Sequence, residues 1–212
     1  MFVLIKIGSY DIIGTGTYSI GQNKKEDAND LKVAVHAISI AGVQQTVDCS
    51  ADMLIHIPIG EELPRELAEQ IAVQGMAVMP TLVMMKAFAD LPLYGFEKDD
   101  YQDAVNAVQL LHSLGVPILV ATDANPGGFV PAIIHGTDLH REMQLLVEAG
   151  LSPLTVLQGA NSLPAEAFGL EGVGCIAPGE PATMLLVEGR PDQQITDSTK
   201  IVQIWVNGKP IL

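Results

Sequence analysis

The sequence predicts an α/β fold built on a parallel sheet, and three observations point there. Short apolar runs with little alternation recur along the chain, amphipathic helical segments lie between them, and no Gly-rich GxGxxG or GxxxxGK loop follows any run. Apolar runs without alternation suit strands covered on both faces. Strands that alternate with helices imply parallel neighbours, in a doubly wound sheet or a (β/α)₈ barrel. The missing phosphate loop counts against nucleotide-binding versions.

Five strands are expected in order: FVLIKI (2–7), KVAVH (32–36), MLIHI (53–57), AVMPTL (77–82) and PILVAT (117–122). Helices are expected over 40–48, over 61–74 with acidic residues at its start where the dipole favours them, and over 101–114 closed by Gly115. Further helices are read over 139–149 closed by Gly150, over 153–159, and around 164–168. From Gly172 the chain changes to Gly, Pro and short strands at 183–188, 200–206 and 210–212, with Asn207-Gly208 as a hairpin turn. A division follows at 1–171 and 172–212. There is no internal repeat and no low-complexity tract.

The 212 residues suffice for one domain with a sizeable core. The charge balance, 11 basic against 25 acidic residues for a net −14, argues against a nucleic-acid partner. No apolar stretch reaches the ~18 residues that a spanning helix requires, so no membrane role is expected. The N-terminal apolar stretch is too short for a signal peptide. Cys49 and Cys175 form no CxxC pair and read as buried free thiols in a reducing, cytoplasmic setting.

Chemistry-bearing residues gather at strand ends. His36 ends its run, His56 nearly ends its own, Asp123 follows the fifth, and Lys6 lies inside the first. In a parallel barrel, residues at the C-terminal ends of several strands face one space. Imidazole and carboxylate are good ligands for zinc and similar divalent ions. Singly, each residue also has an ordinary reading: a core histidine, a helix-capping aspartate, a snorkelling lysine.

The runs VLIKI, VAVHA, MLIHI and VPILVATDA resemble, strand by strand, the amidohydrolase superfamily. The text HGTDLHREMQLLVEAGLSPLTVLQGANSLPAEAFGLEGVGCIAPGEPATMLLVEGRP resembles the segment after that superfamily's eighth strand, with the turn Gly174-Cys175-Ile176-Ala177-Pro178-Gly179 and the closing IVQIWVNGKPIL. MAVMPTL is similar to the prolidase-like branch, which with imidazolonepropionase-related members is the nearest. The resemblance implies a partial (β/α)₈ TIM barrel, about strands 4–8, followed by the C-terminal part of a small β-sandwich. It implies that Lys6 forms a carbamate bridging two metals, most readily zinc. His36 and His56 would be metal ligands, and Asp123 both ligand and proton shuttle. His135, before the helix after strand eight, is a candidate substrate contact; His140 lies near it, and His112 reads as structural. One departure is Ala182-Thr183, where the family often has Ala-Asp.

The family's strand one ends in His-x-His, and this sequence has none. Its histidines are His36, His56, His112, His135 and His140. The chain is therefore expected to begin just before strand four, without strands one to three and the first half of the sandwich. A full barrel needs about 250 residues. Open sheet edges would favour self-association or a second polypeptide supplying the missing half. The implied activity is prolidase-like metal-dependent hydrolysis of amide, dipeptide or cyclic amide bonds. The alternatives are a non-catalytic fragment or subunit, and a barrel lyase that needs no metal.

Overall fold

A computed structural model of the protein describes residues 32–128 and 130–212. The expected strand 2–7, with Lys6, lies outside them. The described part is α/β, with a parallel sheet of order β1-β2-β3 and an antiparallel sheet of order β4-β5-β6.

β1 (Ala34–His36), β2 (Met53–Ile55) and β3 (Ala77–Met79) pair in register, with Val35 beside Leu54 and Leu54 beside Val78. Alternation along a strand sends successive side chains to opposite faces. Leu54 and Val78 therefore join the larger core, with Val43, Leu67, Ile71, Val108 and Leu111 from the covering helices. Met53, Ala77, Met79 and Leu119 form a smaller core on the other face, against Leu163, Ala167 and Phe168. Two covered faces explain why these strands read as continuous apolar runs.

The helices begin where local chemistry allows. α1 (Ile40–Asp48) is capped by Ser39, whose side chain accepts from the Gly42 N–H. α2 (Arg65–Val73) starts after Pro64 and carries Glu66 in its first turn; the expected start at 61 is too early because Pro64 is extended. α3 (Leu82–Asp90) was not expected from the sequence. Its apolar residues surround most of the helix, which hides the helical period, and the run 77–82 reads as one strand. In fact the strand ends at Met79, because Pro80 has no N–H for a ladder and Thr81 turns left-handed at φ 51°. α4 (Tyr101–Ser113) runs to Gly115, whose φ of 78° closes it. α5 (Thr137–Glu148), α6 (Pro153–Gly159) and α7 (Ser162–Ala167) follow.

The expected strand 117–122 is not a regular strand. It makes one parallel bridge, Val78 to Ile118, with the Leu119 N–H donating to the Val78 carbonyl. The next amide, Val120, donates instead to the Gly159 carbonyl at the end of α6, so the ladder stops. α6 approaches so closely that a Cβ on Gly159 would sit 2.5 Å from the Ile118 carbonyl oxygen.

The second sheet holds β4 (Met184–Val187), β5 (Ile201–Val206) and β6 (Lys209–Pro210). Asn207 and Gly208, at φ 50° and 77°, make the two-residue turn between β5 and β6. Both cysteines are free, but exposed rather than buried: Cys49 sits just past the end of α1 and Cys175 in the turn after Gly174. Among the described residues no helix is long and apolar enough to cross a membrane.

Gly159→Ala should destabilise the fold by about 1–3 kcal/mol, because the new methyl meets fixed backbone. Urea unfolding measures this; an unchanged midpoint would show that α6 can withdraw without cost.

Candidate functional site

The C-terminal ends of the parallel strands carry the site. His36 is the last residue of β1, and His56 follows β2. Their rings stand edge to face, with centroids 4.5 Å apart. His56 is 3% exposed. Burial, aided by the nearby His36, lowers its pKa to about 3, so the ring stays neutral.

Thr81, two residues past β3, completes this corner. Its hydroxyl donates to the Pro80 carbonyl at 2.8 Å. That spends its one proton, so the hydroxyl accepts from His56 Nδ1–H. The arrangement that satisfies both contacts at once puts hydrogen on Nδ1 and leaves the Nε2 lone pair. Thr81 was not singled out in the sequence, where it reads only as the tail of an apolar run.

Asp123 follows the irregular fifth run. Burial raises its carboxyl pKa, and the charge of nearby His36 lowers it. Asn125 steadies the turn: its side chain donates to the Asp123 carbonyl at 2.9 Å and accepts from the Gly127 N–H at 2.7 Å. His56, Thr81 and Asp123 all have positive φ, 70°, 51° and 56°, each just beyond a sheet run. Non-glycine residues pay for that conformation, and such strain gathers at functional sites.

A second functional residue went unread in the sequence. Glu142 on α5 is fully buried and accepts from the Leu82 N–H at 2.9 Å and the Val83 N–H at 2.7 Å, at the start of α3. Burial pushes its carboxyl pKa up to about 8, while these two bonds pull the other way. A signal existed: Glu142 shares a helical stripe with Leu139, Leu145 and Leu146, where a charge needs buried partners.

The other histidines lie apart from the pair. His135 is exposed just before α5, and His112 is exposed late on α4. His140 is half-buried and bonds Ser198 at 3.0 Å, tying α5 to the short 3₁₀ helix Ile195–Thr199 ahead of β5. A cleft of about 510 Å³ opens between Leu154, Gln158, Cys175 and Arg190, but neither site histidine lines it. The cleft offers no group of ligands comparable to the histidine pair.

Two imidazoles with a neighbouring carboxylate fit the donor chemistry of a divalent ion such as zinc. Among the described residues, no three His, Cys, Asp or Glu side chains stand close enough together to hold one. The histidine pair thus fits as part of a ligand set.

Comparison with known proteins followed from this geometry. The sequence profile of the amidohydrolase family matches residues 22–211. An amidohydrolase of solved structure is similar at 25% identity and TM-score 0.71, over 86% of this chain and 45% of its own. A Xaa-Pro dipeptidase is similar at 22% identity and TM-score 0.70, over 85% and 44%. Molinate hydrolase is similar at 20% and 0.68, over 86% and 43%. The last two likenesses concern the fold alone. The chain thus spans less than half the length of these structures. No curated protein matches it by sequence.

With a folded-state pKa below the ordinary histidine value of 6.5, His56 contributes stability that is full above that value and lost as pH falls toward 3. The stability difference between the protein and His56→Asn should narrow by up to about 1.4 kcal/mol per pH unit below about pH 6.5. Urea unfolding across that range reads it. A difference that does not change with pH would mean the ring takes up a proton while folded.

Proposed function

The chain belongs to the amidohydrolase family, and from that premise we propose that it forms part of a metal-dependent hydrolase of carbon–nitrogen bonds. The observation that carries the reading is the histidine pair at the ends of adjacent parallel strands, one ring neutral and held in a single tautomer by Thr81. In this reading β1, β2, β3 and the run 117–122 are strands five to eight of a (β/α)₈ barrel. The segment 172–212 is the C-terminal part of a small sandwich.

His36 and His56 would hold a zinc-like ion, with Lys6 as a third ligand in its carbamate form and Asp123 beside them. Such an ion supplies Lewis acidity toward the scissile carbonyl. Asp123 takes a proton from the attacking water and returns it to the leaving nitrogen. A carboxyl raised by burial and checked by His36 suits both halves of that exchange. The strained turn, held by Asn125, fixes where the proton is taken up. His135, exposed before α5, is free to meet the far end of a substrate.

The substrate class we favour is prolidase-like: small amides, dipeptides or cyclic amides. The likeness to a Xaa-Pro dipeptidase agrees with it in fold. The free cysteines suit a cytoplasmic protein. The net charge of −14 argues against a nucleic-acid partner. A second reading is a metal-binding subunit without turnover, since among the described residues the histidine pair stands without a third His, Cys, Asp or Glu ligand close by.

Elemental analysis of the purified, folded protein, reconstituted with zinc and bicarbonate, should find about one ion per chain. His36→Ala and His56→Ala should each lose most of it. Metal content unchanged in both variants would sink the assignment. Bound metal without hydrolysis of a dipeptide panel would favour the subunit reading.

A further inference from the structure

The N–H groups at the start of a helix need acceptors, and the residue before the helix usually supplies one from its side chain. α3 departs from this. Thr81 stands in the capping position but makes no capping bond. Its hydroxyl is occupied by the Pro80 carbonyl on one side and the His56 ring on the other. Glu142 takes over the missing role from 60 residues away, with one carboxylate oxygen on each of the Leu82 and Val83 amides.

We propose that Glu142 is a positioning residue for His56: by capping α3 from α5 it holds Thr81 left-handed, with its hydroxyl free to fix the His56 tautomer. The chain of contacts is continuous and buried. Glu142, Thr81 and His56 are 0%, 1% and 3% exposed. No link has a competing partner in water. Remove the carboxylate, and the Thr81 hydroxyl, which stands in the capping position, becomes an acceptor open to the Val83 amide. That hydroxyl would then leave His56 Nδ1. The ring would lose its partner and could carry its hydrogen on Nε2, the nitrogen needed as a ligand. Glu142 touches neither substrate nor metal in this account.

The inference deepens the proposed metal site, and only the zinc arm of its test rests on that reading. Long-range ¹H–¹⁵N spectra of the metal-free protein report the His56 tautomer directly. The protein should show the Nδ1–H form. Glu142→Gln should shift the ring toward the Nε2–H form, and so should Glu142→Asp, which keeps the carboxyl group but withdraws it by one methylene and serves if the Gln variant fails to fold. Zinc affinity, by competition with a chromophoric chelator, should fall about 10–100-fold in each. Thr81→Ala should give the same loss and Thr81→Ser should restore the affinity. The Glu142→Gln, Thr81→Ala pair should lose little more than either alone, since both cut one chain. A folded Glu142 variant with an unchanged His56 tautomer would overturn the inference. A protein that binds no zinc but whose His56 tautomer responds to Glu142 would overturn the metal reading and leave the positioning role standing.

Discussion

The carboxylate of Glu142 between two backbone amides is the contact on which the site corner depends. A buried carboxylate is costly unless its oxygens are met by donors. Here both are met, by amides at the positive end of α3. The bond joins α5 to α3 across 60 residues of sequence and fixes where α3 begins. Because α3 begins there, Thr81 can leave the capping role and turn its hydroxyl to His56. A helix start, a threonine and a histidine tautomer are thus three consequences of one buried carboxyl group.

The three left-handed residues at the sheet ends belong to the same economy. His56, Thr81 and Asp123 would each relax to a commoner backbone if the surroundings allowed it. They do not relax because each backbone is tied by a hydrogen bond. The His56 N–H donates to the Met79 carbonyl, the Thr81 carbonyl accepts from Met84 and Met85, and the Asp123 carbonyl is held by Asn125. Beyond these residues the chain must leave the sheet sharply, which leaves the strand ends clear. At this mouth of the parallel sheet the two imidazoles stand in ring contact.

Much of this was legible in the sequence, and the failures have identifiable causes. The helices 40–48 and 153–159 were read to the residue, because Ser39 and Ser152 are capping serines followed by clean apolar periods. The strand ends His36 and His56 were legible because polar residues interrupt apolar runs. α3 was not, since LVMM is apolar on every side and gives no period. The run 117–122 looks like a full strand by composition, yet its pairing is decided by the approach of α6, a tertiary event that no local pattern encodes. Both cysteines were read as buried because small apolar thiols usually are; each sits at the exposed end of an element instead. Thr81 and Glu142 were missed because each is ordinary alone. Their meaning lies in a contact between segments far apart in sequence.

The acidic surface bears on how selective such a corner can be. A net charge of −14 draws divalent cations of every kind toward the protein. Carboxylates scattered on that surface bind hard ions weakly and without preference. Imidazole nitrogens discriminate: they favour zinc-like ions over magnesium and calcium, which prefer oxygen. A neutral ring with its tautomer set in advance also avoids two costs on binding an ion, loss of a proton and rotation into place. Burial of His56 keeps the ring neutral, and Thr81 sets its hydrogen. Under the proposed function, the surface would concentrate ions in general, while the buried chain from Glu142 to His56 would decide which of them stays.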